Sequence, residues 1–415
     1  MLLPTCEFMR LCFYTDFTMS GMTGGIGRAT TVLNDYFRNH FGWKVYSIYA
    51  FEAKHDCVRT VNDGAIQFRL HDRLGMRRLA QNYERAASFI RKNQIQIVII
   101  QTSMDVVAKL RKALDRDNLH DVKIISVLHY SPGTDEFPIS LSELKSNILQ
   151  GKASVKNLLK GIVAPAYNAL EHHATVKAYQ NAYKYGDAVI LLSDSYIPAY
   201  KEFAHLKDTK KLLAIPNCLP FEHILTHEEI EAKGKTALVV GRMVDFPKRI
   251  SLILKMWQTI EQNPIAKYWN LDIVGDGPDL EKFKSLAKKI GLLRCSFHGR
   301  KDPIDYYCRA SLFFMTSEFE GFPMTLVEAQ MMGCVPIAFD TFDSLKEVVT
   351  DKENGRIIPN NDTEKYIDTV IELMNSSDTR VKLVQNGLNN CQRYSQQTIC
   401  KRWKSLLESL VVPRQ

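Results

Sequence analysis

Short apolar runs of strand length recur along this chain, each followed by a stretch with helical periodicity, and that alternation is the tightest constraint on its fold. The runs lie at 9–14, 43–49, 95–101, 122–128 and 188–192, and a second series follows at 237–242, 271–274 and 312–315, with 296–300 closing a further strand. Strands that alternate with helices argue for parallel, doubly wound sheets. In such sheets ligands sit outside the carboxyl ends of the strands, so the residues that close each run are the ones to question. At 415 residues the chain is long enough for roughly two or three domains. A polar, acidic run at 226–235 fits a boundary between them, with a hinge near residue 220. The expected division is 1–220, 221–394 and a final helix in 395–415. Beyond the two similar halves there is no internal repeat and no low-complexity segment.

The composition, 45% apolar and 24% charged, is that of a globular protein, and the net charge of +8 calls for an anionic partner. Nucleotide phosphates, an anionic membrane surface and nucleic acid all qualify. Aromatics interleaved on a basic face, the mark of a nucleic-acid binder, are absent, so no nucleic acid is expected. Nine cysteines, odd in number and without C-x-x-C spacing, fit a reducing compartment. No stretch approaches the ~18–20 apolar residues of a membrane span, and Glu7, Arg10 and Asp16 interrupt any secretory pattern. The expectation is a cytoplasmic protein, with Met9 as an alternative start beside the first strand. Two basic stretches bear on membranes: Arg73, Arg77, Arg78, Arg85, Arg91 and Lys92, and the helical region 141–185 with its lysines and its apolar segment 157–167. They read either as peripheral contacts to the inner face of the cell membrane or as solvated faces of core helices.

The most informative stretch is 317–329, Ser-Glu-Phe-Glu-Gly-Phe-Pro-Met-Thr-Leu-Val-Glu-Ala. It follows the apolar run 312–315 and leads into helix formers at 324–332, giving a strand, a loop and a helix start. Pro323 suits the first helical position, where its missing N–H costs nothing, and Gly321 lets backbone approach a ligand closely. The unpaired amides of such a helix start, with roughly half a positive charge, make an anion site suited to a phosphate or diphosphate. Glu320 precedes the helix and Glu328 lies more than a turn inside it, so the two should touch different parts of one ligand. Without context they read as a solvated loop acid and a surface helix residue.

With the following Glu328-Ala329-x-x-x-Gly333-x-x-Pro336-Ile337-Ala338, this stretch closely resembles the E-x7-E signature of retaining glycosyltransferases, particularly family 4. The likeness covers nearly the whole chain and is sharpest over 236–355. It implies the GT-B fold: two Rossmann-like domains facing across a cleft, the second binding most of a nucleotide-sugar donor, with the last helix crossing back to the first. It also implies that Glu320 contacts the sugar and helps position it or stabilises positive charge, that Glu328 holds the ribose hydroxyls, and that Gly321, Phe322, Pro323, Thr325 and Leu326 lie against the donor. The implied activity is retaining, metal-independent hexosyl transfer from a nucleotide-diphosphate sugar, UDP-sugars included. The acceptor would be a glycan or a lipid-linked saccharide, in surface polysaccharide synthesis. No cofactor is implied, and no D-x-D motif calls for a metal. A phosphorylase or sugar-nucleotide epimerase would share the fold without needing this glutamate pair. A non-catalytic nucleotide or nucleic-acid binder rests on charge alone.

Other strand ends fit the same scheme. The run 237–242 closes in Gly241-Arg242, and Lys248-Arg249 precede the next helix. An arginine offers a planar fork and a lysine a point charge to phosphate oxygens. The pattern resembles the family's donor-diphosphate clamp, although Arg249 stands where the family usually has glycine, and Phe246-Pro247 alters the usual spacing. Arg242 and Lys248 are therefore the expected clamp. In the first half, Gly24-Gly25 opens a helix and reads as a phosphate cradle or a plain tight turn. The resemblance places it near the donor phosphates and the acceptor. His129 closes the run 122–128, and by the resemblance it touches the donor sugar; alone it reads as a structural or exposed histidine. Gly275 and Gly277 read as turn formers or as points of close ligand approach. His298 ends a strand where the resemblance places the nucleotide base, and it reads equally as a satisfied core histidine.

Overall fold

The structure, a computed structural model, describes residues 9–17, 25–51, 66–70, 76–134, 136, 155–221 and 225–411. The chain divides into two compact units, one formed by residues 1–215 with 402–415 and the other by 216–401. Each is a parallel sheet between helices, the architecture of the GT-B fold.

The sheet of the N-terminal unit has seven strands in the order β3-β2-β1-β4-β5-β6-β7. They are β1 (Arg10–Phe17), β2 (Lys44–Phe51), β3 (Ile66–Arg69), β4 (Ile97–Ile100), β5 (Lys123–Leu128), β6 (Ala188–Leu191) and β7 (Leu212–Ala214). Every residue of β4 and β6 is buried, as a strand covered on both faces must be. The described helices are α1 (Gly25–Phe41), α2 (Met76–Lys92), α3 (Val106–Arg116), α4 (Val155–Tyr185) and α5 (Tyr196–Phe203). Helix α4 has 31 residues with Pro165 inside it. Its second half packs Tyr179 and Ala182 into the core, whereas Tyr167 and Leu170 are 42% and 71% exposed.

The C-terminal unit has a six-stranded sheet in the order β10-β9-β8-β11-β12-β13. Its strands are β8 (Thr236–Val240), β9 (Asn270–Val274), β10 (Cys295–Gly299), β11 (Leu312–Met315), β12 (Val335–Asp340) and β13 (Arg356–Pro359). The helices are α6 (His227–Glu231), α7 (Ile250–Gln262), α8 (Leu280–Lys289), α9 (Ile304–Arg309), α10 (Met324–Met331), α11 (Leu345–Val348), α12 (Thr363–Asn375) and α13 (Ser377–Cys391). Trp257 of α7 is fully buried, its ring centroid 6.2 Å from Phe314 of β11, and joins helix layer to sheet. The last helix, α14 (Gln396–Val411), enters the N-terminal unit at Arg402. There Arg402 donates to the Ala214 carbonyl at 2.5 Å, and Lys404 lies 4.9 Å from the Phe41 ring centroid.

Both sheets reverse their winding once, between β1 and β4 and between β8 and β11. At such a point neighbouring strands send their following loops to opposite sides, which opens a crevice at their carboxyl ends. Among the described residues no helix is long and apolar enough to cross a membrane. Of the basic stretches, Arg73, Lys145 and Lys152 lie outside the described residues. Arg85 and Arg91 are engaged: Arg85 covers the Phe68 ring at 5.3 Å, and Arg91 pairs with Asp117 at 3.0 Å.

Candidate functional site

The loops that leave β8 and β11 are knitted together. The Glu318 amide donates to the Pro247 carbonyl at 2.8 Å, the Thr316 hydroxyl to the Lys248 carbonyl at 3.0 Å, and Arg249 Nε to the Thr316 carbonyl at 2.5 Å. On this frame the Lys248 ammonium meets Glu320 Oε1 at 2.5 Å. The two side chains keep 27% and 15% exposure, so the pair sits where a ligand can compete for it.

Three basic residues that look alike in sequence have different fates here. Arg249 takes a left-handed backbone, φ 53°, just before α7. Its guanidinium bridges Glu318 at 2.8 Å, donates to Asn360 and Asn361, and covers the Phe339 ring at 5.4 Å. It is a structural clasp. Lys248 is held by Glu320. Arg242 is exposed at the mouth of the crevice, and among the described residues its guanidinium has no partner.

What carries Arg242 is a backbone-on-backbone contact. Met243 N–H donates to the Asp276 carbonyl at 3.0 Å, and Asp279 N–H returns to the Met243 carbonyl at 3.0 Å. Gly275 has φ +145°, and a Cβ there would lie 1.8 Å from the Gly241 oxygen; one at Gly277 would lie 2.5 Å from the Met243 oxygen. These glycines therefore serve a close approach, but to the chain's own loop.

Helix α10 starts one residue later than its sequence implies. Pro323 is the residue before the helix, at φ −81° and ψ 68°, rather than its first residue. The Met324 amide donates to the Phe322 carbonyl at 2.8 Å, and those of Leu326 and Val327 reach the Pro323 carbonyl at 2.9 and 3.4 Å. Among the amides of residues 324–327 only that of Thr325 lacks a backbone acceptor, so the helix start itself offers fewer donors than expected. Phe322 is 6% exposed against the Tyr394 ring, 5.3 Å away, and Leu326 is fully buried. Their side chains pack the unit, which leaves only backbone for a ligand.

Glu328 is no surface residue: it is fully buried, and its Oε2 accepts the Tyr307 hydroxyl at 3.0 Å. Tyr307 is held in turn by Lys233, whose ammonium donates to the carbonyls of Tyr307, Cys308 and Ala310 at 2.7, 3.1 and 2.7 Å and so closes the end of α9. Neither residue was legible, because nothing local links either of them to Glu328. His298 Nε2 lies 2.9 Å from Asp272 and its ring 4.6 Å from Tyr306, a partnered histidine.

In the N-terminal unit Gly24 lies outside the described residues. Gly25 is the first residue of α1, and among the described residues a Cβ there would meet nothing within 4 Å. His129 follows β5, and its Nε2 lies 2.5 Å from Gln101 Oε1 at the end of β4. That oxygen accepts, so the ring nitrogen facing it donates, and among the described residues Nδ1 is enclosed without a partner. Burial lowers the His129 pKa to about 4, so the ring is neutral at pH 7. Because the unfolded state takes up this proton near pH 6.5 and the folded state does not, stability falls as pH drops from about 6.5 towards 4. The loss should approach roughly 3 kcal/mol from this group, and His129→Gln should flatten that part of the stability profile in denaturant titrations. An unchanged slope in His129→Gln would exclude His129 as its source.

Among the described residues no three His, Cys, Asp or Glu side chains converge as a metal site.

Residues 221–390 match the family model described as glycosyl transferases group 1. Over 203 residues the chain is 28% identical to an uncharacterized glycosyltransferase of Haemophilus influenzae, and over 204 residues 27% identical to the amylovoran biosynthesis glycosyltransferase AmsD of Erwinia amylovora. Each alignment covers 48% of this chain and 56% of the relative, so the chain spans about half the length of these curated relatives. Among solved structures, Anabaena HepE in complex with UDP and glucose superposes with a TM-score of 0.71 at 15% identity, covering 97% of this chain and 100% of that one.

Proposed function

We propose that this protein is a retaining, metal-independent glycosyltransferase. It moves a hexose from a nucleotide-diphosphate sugar to a glycan or lipid-linked acceptor in surface polysaccharide synthesis. The observation that carries this reading is the Lys248–Glu320 pair that joins the loops leaving β8 and β11, with Arg242 on the first of those loops, exposed and without a partner among the described residues. Glycosyl transfer builds negative charge on the departing diphosphate and positive charge at the anomeric carbon. Fixed cations favour the first change, and a carboxylate held beside them favours the second. The names of the relatives support the setting: AmsD belongs to amylovoran biosynthesis, and HepE was solved with UDP and glucose. By the family resemblance Glu328 holds the ribose hydroxyls and His129 meets the donor sugar.

A thermal-shift panel of UDP-, GDP-, ADP- and dTDP-sugars tests donor binding, since a ligand that binds only the native state raises its stability. One nucleotide series should raise the melting temperature. Arg242→Ala should weaken that binding by roughly 10- to 100-fold, the worth of a charge-assisted hydrogen bond. No shift with any nucleotide-sugar would overturn the reading.

We also propose a cytoplasmic protein that docks on the inner face of the membrane, supported by its net charge and by Tyr167 and Leu170 exposed on α4. Co-flotation with anionic vesicles at low salt, lost at high salt, is expected; no flotation would remove this part.

A further inference from the structure

The knitted loops present one group the proposed chemistry does not use. Phe246 is 73% exposed, at the tip of the loop after β8, and its ring meets that of Phe319 edge-on at 5.6 Å and 72°. Exposed phenylalanines are common singly, but this one stands on an immobilised frame. The bonds that fasten Pro247 to Glu318 and Lys248 to Thr316 fix both loops on which the rings ride. The aromatic pair and the ion pair span the same two loops. Phe246 is two residues from Lys248, and Phe319 is adjacent to Glu320.

An apolar ring carried on the same two loops as a carboxylate and an ammonium suits one ligand chemistry well. A pyranose has an apolar face of C–H groups, which packs on an aromatic ring, and a rim of hydroxyls, which donate to a carboxylate and accept from an ammonium. A wholly apolar partner would leave Glu320 and Lys248 desolvated without new bonds. A bare anion would have no use for the rings. We propose that Phe246 and Phe319 form a stacking platform for a hexopyranose ring, with Phe246 its main contact and a determinant of sugar specificity. This inference deepens the proposed function, because the same chemistry belongs both to the donor's hexose and to a saccharide acceptor.

The test uses the full-length protein and its Phe246→Ala and Phe246→Trp variants. Saturation-transfer NMR with methyl glycosides of glucose, galactose and N-acetylglucosamine probes the acceptor-like source. Calorimetry that compares UDP with UDP-glucose, and the corresponding pair for any other nucleotide that binds, probes the donor source. Phe246→Ala should weaken one of these signals about 3- to 10-fold: either the glycoside's transfer from its ring protons, or the affinity that the hexose adds to the nucleotide. Phe246→Trp should keep it. Loss of the glycoside signal assigns the platform to the acceptor, and loss of the hexose increment assigns it to the donor. Both signals unchanged in Phe246→Ala, or absent from the wild type, overturn the platform. The outcome separates from that of the proposed function: if no nucleotide binds, the transferase reading fails, while a glycoside signal that Phe246→Ala abolishes still establishes the platform.

Discussion

Glu320→Gln is expected to lower sugar transfer by about 10²- to 10³-fold, the scale on which a single preorganised electrostatic group acts in a transition state. The substitution keeps the shape and leaves an amide oxygen for the Lys248 ammonium, 2.5 Å from Glu320 in the native protein. It removes only the negative charge. A partly exposed ion pair contributes about 0–1 kcal/mol to folding, so the melting temperature should move by no more than a few degrees. Lys248, freed from its carboxylate, should hold a nucleotide diphosphate as well as before or more tightly. The informative result is therefore the split: turnover falls in kinetic assays while affinity for the nucleoside diphosphate is kept. Wild-type turnover would remove Glu320 from the reacting centre. A parallel fall in both quantities would mean that the pair builds the phosphate site and takes no part in the chemistry.

Gly275→Ala should destabilise the C-terminal unit by roughly 2–6 kcal/mol, the combined cost of a strained backbone and of overpacking a tight contact. At φ +145° an L side chain is already disfavoured, and its Cβ would lie 1.8 Å from the Gly241 oxygen, an atom with no freedom to turn aside. Relief requires the loop with Arg242 to move away from the β9 turn. Donor affinity should then fall together with stability, unlike in Arg242→Ala, where stability is kept. Trp257 and Trp269, both buried in the C-terminal unit, report its unfolding by fluorescence in denaturant titrations. Gly25→Ala is the control: with no described residue within 4 Å of its Cβ and a helix beginning there, it should be neutral or slightly stabilising. A native midpoint for Gly275→Ala would mean that the loops separate at little cost.

The strands that were legible are those whose residues are apolar on both faces. Ile97–Ile100, Ala188–Leu191 and Leu312–Met315 announce themselves because a parallel strand between two helix layers has no polar side. Those passed over are short or of mixed character. Ile66–Arg69 alternates apolar and polar residues at the sheet edge, and Arg356–Pro359 begins with an arginine that pairs with Glu372 at 2.9 Å. The site divides in the same way. Glu320, Glu328, Arg242 and Lys248 could be named because the strand ends and the helix start that carry them resemble the motifs of a known family. Their roles could not, because a role depends on which residue arrives opposite: Glu320 for Lys248, Tyr307 for Glu328 and, among the described residues, nothing for Arg242.

The sequence by itself determined the architecture, since the alternation of apolar runs and amphipathic helices is a property of consecutive residues, and it determined which loops carry polar chemistry. Only the tertiary structure decided how those polar groups are spent. It absorbed Arg249 into a clasp, buried Glu328 under a tyrosine hydroxyl, turned most of the amides at the start of α10 onto their own loop, and left Arg242 and Phe246 facing solvent. The physical reason is that burial and pairing arise between segments far apart in the chain. An identical arginine is a structural clasp or a free cation according to what the other strand's loop brings within about 3 Å of it.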